Sequence, residues 1–325
     1  MKKTDASAIE QPRPLLGIGS CLAGNAVRYN GQTKKPNSHV VALTEQFETR
    51  AFCPEMGAGM GVPRPPIHLV GDEHNVRAVD VDTHSKDFTA PIRAYADTVL
   101  KLAPEICGYI LVKGSPSCGY GRVKRYSEKG HSVASDQNGI FANALHAADP
   151  LLPLEDDGRL NDERLRESFA TRACTYHDWK QTVATNVSAR ALIEFYTRYK
   201  YLVMAHHVPS YQRLGKMLAN AGKENIEQLS AEFIETLMAA LTHTTTRASH
   251  GNTLFHISGY LKRDLTPEQR QRLRDLIESY RKGEVPLVVP VTMLKHYFAD
   301  SPDAYINSQV FLNPYPDELR LRNLV

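Results

Sequence analysis

The 325-residue chain contains no hydrophobic run near the roughly 18 residues that a membrane-spanning helix requires, so nothing in it reads as a membrane span. Its first residues, MKKTDASAIEQPRP, lack the apolar stretch of a secretory signal. Cysteine is scarce. There are five, an odd number with no Cys-x-x-Cys pair, which argues against a disulfide framework and for a reducing, cytoplasmic setting. No charge of one sign dominates: 39 Lys and Arg stand against 36 Asp and Glu, a net charge of +3. No strong basic field announces nucleic acid, although an RNA partner is permitted. Internal repeats and low-complexity tracts are also missing. What is present, 42% hydrophobic and 23% charged residues, is the make-up of an ordinary globular enzyme.

At this length two domains are expected, because single cores seldom grow past roughly 250–300 residues. Residues 1–14 read as a flexible tail. From Leu15 short apolar runs alternate with helical stretches. LLGIGS (15–20), TRAFCP (49–54), VRAVDV (76–81) and YILVKG (109–114) read as strands, the third also as an edge strand because its neighbours are polar. HVVALTEQF (39–47) and residues 88–103 read as helices, and Asn138-Gly139 ends a loop before another. Strands alternating with helices predict a Rossmann-like, doubly wound α/β domain over 15–185. LNDERLRESFATRACTYHDWKQ reads as one amphipathic helix, and periodicity from Val187 to Tyr280 predicts a mostly α-helical domain over 186–325.

Three of the cysteines follow predicted strands: Cys21, Cys53 and Cys118. Ligands of open α/β sheets bind beyond the carboxyl ends of the strands, so three thiols delivered there can converge although they lie 32 and 65 residues apart in sequence. Each is followed by glycine-bearing loop sequence, in CLAGN, CPEMGAGMG and SPSCGYG. Thiolates are ligands for zinc and for iron–sulfur clusters, and three rather than four leave one coordination position open. Cysteine also buries as a small hydrophobe, and spacing alone does not decide between the two. Cys107 and Cys174 lack this context and read as buried structural residues. GAGMG (57–61) is not a dinucleotide fingerprint, because the prolines of VPRPP forbid the helix it would need; no nicotinamide or flavin cofactor is expected. The His-x-Glu and Pro-Cys-x-x-Cys signature of zinc deaminases is absent as well.

Taken together, SCLAGNAVRYNG, FCPEMGAGMGVPRP and KGSPSCG resemble the thiouracil desulfurase family, whose three segments occur here in order over residues 20–119. Ala58 and Met60, standing among the glycines of GAGMG, depart from its pattern. FYTRYKYLVMAHHVPSYQRLGKML, HGNTLFHISGYLKRDL and GEVPLVVPVTMLKHY resemble a helical domain often fused behind this one. The fused form is similar to bacterial tRNA 4-thiouridine desulfidases.

The resemblance implies a Rossmann-like fold and a [4Fe-4S] cluster held by Cys21, Cys53 and Cys118, with one iron free to take the substrate sulfur. It implies non-redox hydrolysis, with Glu55 moving protons to and from water and the ring, and Ser115 donating a hydrogen bond to the base. Glu55 is also placed to cap the following turn, and Ser115 and Ser117, flanking Pro116, to serve only as turn residues. Arg28, Tyr29 and Arg64 are suited to binding phosphate or base, or to closing surface ion pairs.

In the second half, residues 190–300 carry 15 Lys and Arg, 11 Asp and Glu, and six His. Arg198, Lys200, Lys262 and Arg263 lie close in sequence to Tyr196, Tyr199, Tyr201, Tyr211 and Tyr260, a pattern suited to phosphate contacts and stacking on RNA bases, and equally to a solvated helix face. His206, His207, His250 and His256 show no HExxH spacing and read as structural or RNA-contacting. The expected activity is tRNA 4-thiouridine desulfidation, with tRNA as the partner. Two alternatives stand beside it: a desulfurase of free thiouracil or thionucleosides, and a metal-carrying RNA-binding regulator without turnover.

Overall fold

The computed structural model describes residues 13–219, 221–222 and 225–323. All of the expected tail except Arg13 and Pro14 lies outside these residues. In chain order the first half runs β1 (Leu15–Gly19), α1 (Ser38–Gln46), β2 (Glu48–Phe52), α2 (Pro54–Gly57), β3 (Ile67–Gly71), β4 (Val76–Asp80) and α3 (Thr89–Leu102). It continues with β5 (Gly108–Leu111), β6 (Val123–Tyr126), β7 (Ser132–Gln137), α4 (Ile140–Ala148), β8 (Leu154–Asp156) and α5 (Glu163–Thr182).

Two four-stranded sheets form, not one. The first has the order β2-β1-β5-β8 and is parallel throughout. β1 and β5 are buried along their whole length, which is why they read as unbroken apolar runs. Gly17 lets the sheet close: a Cβ there would lie 2.2 Å from the Tyr109 ring, which packs against Phe52 and Phe141. The second sheet, β4-β3-β6-β7, is mixed, with antiparallel outer pairs around a parallel β3–β6 pair. VRAVDV is an edge strand, but of this second sheet rather than of the doubly wound one. Strands β6 and β7 of the same sheet escape sequence reading because VKRY and SVASDQ are largely polar, with β7 exposed or half-buried throughout.

Beyond α5 the chain is helical: α6 (Ala189–His206), α7 (Val208–Ala219), α8 (Ile226–Leu241), α9 (Arg247–Ser258), α10 (Pro267–Lys282), α11 (Val288–Asp300) and α12 (Ala304–Asn307). Local sequence sets the ends. Ser188, Asn225, Thr246 and Thr266 accept backbone N–H bonds as N-caps, and Gly283 closes α10 in the left-handed conformation. The boundary expected near residue 185 falls in the α5–α6 turn. Packing crosses it: Trp179 of α5 meets Phe195 of α6 edge-on and stacks on Phe233 of α8, while α5 also rests against β5. No described helix is long and apolar enough to cross a membrane.

Candidate active site

β2, β1 and β5 are neighbours in the parallel sheet, and the chain leaves β1 toward β2 on one side and β5 on the other. The crevice beyond such strands is where α/β sheets bind ligands. Gly19 pairs with Phe52, so Cys21 and Cys53 leave adjacent strand ends together. Cys118 returns to the same edge through a turn in which Val112 N–H donates to the Cys118 carbonyl at 3.0 Å. α4 begins against that turn, which requires Gly139: a Cβ there would stand 2.4 Å from the Ser117 carbonyl oxygen and 2.7 Å from the Cys118 nitrogen.

All three cysteines border one cavity of about 250 Å³. Burial and the neighbouring Cys53 raise the Cys21 thiol, burial raises Cys53, and burial pushes Cys118 up to about 12. Thiols so placed ionise readily only for a cationic partner. Among the described residues no three His, Cys, Asp or Glu side chains close around a single ion. What the three thiols share is the lining of one cavity, where a group held by all of them would lie. A second observation agrees. The Tyr109 hydroxyl is fully buried with no hydrogen-bond partner among the described residues, and Cys118, Cys53 and Cys21 are close enough to help burial push its pKa well up. An orphaned donor beside three thiols fits an anionic cluster with acceptor sulfurs.

Glu55 follows Cys53 by two residues and enters the same cavity. Arg64 Nε donates to Glu55 Oε2 at 2.7 Å, and its Nη2 makes a second, shorter contact to the same oxygen. Ser117 Oγ donates to Glu55 Oε1 at 2.6 Å and lies 2.9 Å from Ser115 Oγ. Ser115 Oγ accepts from Cys118 N–H at 3.2 Å and sits 3.5 Å from Cys118 Sγ. A continuous polar chain thus runs Arg64–Glu55–Ser117–Ser115–Cys118. Arg64, expected either to bind phosphate or base or to close a surface ion pair, forms an ion pair that is buried: it is 7% exposed, and its remaining donors go to the carbonyls of Gly61 and Val27. It holds Glu55 instead.

Arg28 and Tyr29 border the cavity, with the guanidinium 5.8 Å from the Tyr29 ring centre. Sequence reading missed two members. Ser117, weighed only as a turn residue, is completely buried at the centre of the polar chain; its place beside Cys118 was the signal. Lys34 also lines the cavity and pairs with Asp157 at 2.7 Å, a contact across 123 residues that no local pattern announces. Cys107 is buried and donates to the Leu15 carbonyl at 3.1 Å, and Cys174 lies within α5.

The helical half does not display its cations and rings as expected. Tyr196, Tyr199 and Tyr201 are buried in the core and unavailable for base stacking, leaving Tyr260 exposed. Arg198 is engaged with Asp178 at 2.8 Å, and Lys200 lies over the rings of Tyr201 and Tyr305. Lys262 and Arg263 are exposed, the former on a groove shared with Arg270 and Arg274.

Comparison with known proteins follows the same division. The 2-thiouracil desulfurase family matches residues 16–157, and a family of proteins of unknown function, DUF1722, matches residues 200–316. The uncharacterized protein YbgA of Escherichia coli (strain K12) is 30% identical over 165 residues, covering 50% of this chain and 98% of YbgA. The uncharacterized protein YbbK of Bacillus subtilis (strain 168) is 30% identical over 137 residues, covering 40% of this chain and 89% of YbbK. Among solved structures, the [4Fe-4S]-dependent thiouracil desulfidase TudS is 28% identical, with a TM-score of 0.37 over 46% of this chain and 94% of its own. With its three cysteine segments and its family and sequence matches, the chain belongs to the 2-thiouracil desulfurase family through residues 16–157 and carries a DUF1722 segment, residues 200–316, behind them.

Proposed function

We propose that this protein is a tRNA 4-thiouridine desulfidase that holds a [4Fe-4S] cluster through Cys21, Cys53 and Cys118. The observation that carries the reading is the meeting of three thiols from adjacent parallel strands with the Glu55 proton chain in one cavity. When bound, the cluster supplies a Lewis-acidic iron that draws electron density from the thiocarbonyl carbon. Every other element belongs to the chain.

Glu55 takes a proton from the attacking water and returns it to the departing sulfur or the ring. Arg64 and Ser117 fix its two oxygens from opposite sides, so the carboxylate is oriented before substrate arrives. Ser115 donates to the base or to the oxygen developing at the reacting carbon. The balance is thiocarbonyl plus water giving carbonyl plus hydrogen sulfide, with no net electron transfer. The exposed Lys262 and Arg263, beside a groove carrying Arg270 and Arg274, support RNA as the macromolecule that brings the thiolated uridine.

A second reading, desulfuration of free thiouracil, is favoured by the small volume of the thiol cavity, which suits a single base. Nucleoside analysis of bulk bacterial tRNA after incubation with anaerobically purified, iron-reconstituted protein separates the two. Loss of 4-thiouridine with gain of uridine, absent for Cys118→Ala, supports the tRNA reading. Untouched tRNA with converted free thiouracil overturns it in favour of the second.

A further inference from the structure

A larger cleft of about 560 Å³ adjoins the thiol cavity, and Ile67, Lys113, Gly114 and Pro116 line both. Its character is different. Lys113, Arg122 and Lys124 line it, all three exposed, and none of their side-chain cations has a partner among the described residues. On β6, Lys124 and Tyr126 share one face by the two-residue alternation of a strand. His68 of β3 lies beside Tyr126, with ring centres 5.0 Å apart.

The carboxylates of the cleft are already engaged. Asp156 Oδ1 accepts from Gly158 and Arg159 N–H at 2.8 and 2.7 Å, and Asp162 Oδ1 from Arg164 and Leu165 N–H at 2.9 and 3.1 Å. The fourth cation, Arg159, is committed to Glu155 at 2.5 Å. Four cations, Lys113, Arg122, Lys124 and Arg159, against two carboxylates, Asp156 and Asp162, leave the lining net positive, and unpaired Lys and Arg groups are what phosphate oxygens recruit. A thiol cavity that takes a base at its mouth, beside a cationic cleft, has the outline of a nucleotide site.

We propose that this cleft binds the backbone phosphate of the substrate nucleotide, so that the α/β half itself grips the RNA strand next to the thiolated base. The inference rests on the reading that the thiol cavity receives a thiolated uracil. It moves the principal phosphate contacts from the helical half to the second sheet, and it leaves Tyr126 and His68 to stack on a neighbouring base.

Binding is measured on the full-length protein without reconstitution, so that it is read apart from turnover, and desulfuration of tRNA is measured separately on the iron-reconstituted protein. Dissociation constants are measured for 4-thiouridine, for 4-thiouridine 5′-monophosphate and for bulk bacterial tRNA, in wild type and in Arg122→Glu/Lys124→Glu. The preference for the monophosphate over the nucleoside is expected to fall at least tenfold. The slope of log affinity against log salt for tRNA is expected to shrink by about 1 to 2, roughly one per lost phosphate contact. Arg122→Gln/Lys124→Gln, a milder change, should move both quantities in the same direction by less. An unmoved preference together with an unmoved salt slope, at an unchanged thermal midpoint, overturns the proposal. If the monophosphate preference moves while wild-type tRNA is neither bound nor desulfurated, the cleft stands and the tRNA reading falls. If tRNA is desulfurated and neither quantity moves, the tRNA reading stands and the cleft falls.

Discussion

In the α/β half, the Glu55 chain is paired internally, but three cations lining a cleft and one buried hydroxyl are left without partners among the described residues; in the helical half, the same residue types are mostly paired off. Lys113, Arg122 and Lys124 find no partner among the described residues, and neither does the Tyr109 hydroxyl. Arg198 instead meets Asp178, Lys200 lies over two tyrosine rings, and His250 meets Tyr280. Residue type therefore says little about function until one knows whether the side chain's bonding capacity is spent inside the fold. Unspent groups beside a cavity mark where another molecule completes the structure.

The largest expected effect falls on the thiols. Cys118→Ala should remove iron binding and lower desulfidation by at least about a thousandfold, because no other thiol at that strand edge could take over the ligand role proposed for it. Iron content and the visible absorbance of reconstituted protein check the first, product formation the second. Cys174→Ala, remote from the cavity, should keep both. Equal iron loss in the two variants would break the distinction between the sheet edge and the interior.

Next comes the proton chain. Glu55→Gln should lower kcat by roughly 10²–10⁴-fold while iron content stays at the wild-type level. Arg64 acts through Glu55, so Arg64→Met should change the pH profile of kcat as well as its height, with Arg64→Lys recovering part of the loss. An Arg64→Met enzyme with reduced kcat but an unaltered pH profile would assign Arg64 to structure alone.

These assignments differ in how far they could be read from the residues. Cys21, Cys53 and Cys118 were legible because each follows an apolar run long enough to be a buried strand and precedes a glycine-bearing loop. The second sheet was not, since β6 and β7 carry too little apolar sequence to stand out from loops. The Arg64–Glu55 pair is hidden differently: both residues stand out in the sequence, but an arginine near prolines reads as a surface group, and only the fold turns it inward. The tyrosines of α6 carried a signal that was outweighed. Leu192, Phe195, Tyr196, Tyr199 and Leu202 recur at spacings of three and four, which is the stripe of a buried helix face, and all five are buried. Proximity to lysine and arginine in sequence suggested a binding surface; periodicity pointed to the core.

His250 sharpens the contrast from the helical side. It is buried, its Nδ1 lies 2.8 Å from the Tyr280 hydroxyl, and burial holds its pKa well below the usual histidine range, with Arg322 and His206 adding to the depression. The folded protein therefore keeps it neutral where the unfolded chain, with an ordinary pKa near 6.5, takes up a proton. Below that pH the unfolded state binds more protons, so stability is complete above about 6.5 and falls by about 1.4 kcal/mol per pH unit as acid is added. Chemical denaturation between pH 7 and 5 should show this slope in wild type and a flatter one in His250→Asn. Identical slopes would mean that His250 is already protonated in the fold.

Tyr109 gives the smallest effect and the sharpest contrast with His250, because its hydroxyl is buried with no partner where the imidazole has one. An unmet buried hydroxyl costs about 1–3 kcal/mol, so Tyr109→Phe should stabilise the metal-free protein by about 1–2 kcal/mol. If an inorganic group held by the thiols offers this hydroxyl a sulfur acceptor, the substitution removes a hydrogen bond instead of a penalty. The gain should then vanish or reverse in iron-loaded protein, measured by denaturation under anaerobic conditions. A gain that survives loading would show that the hydroxyl points away from the thiols, and the orphaned donor would no longer speak for a cluster at this edge.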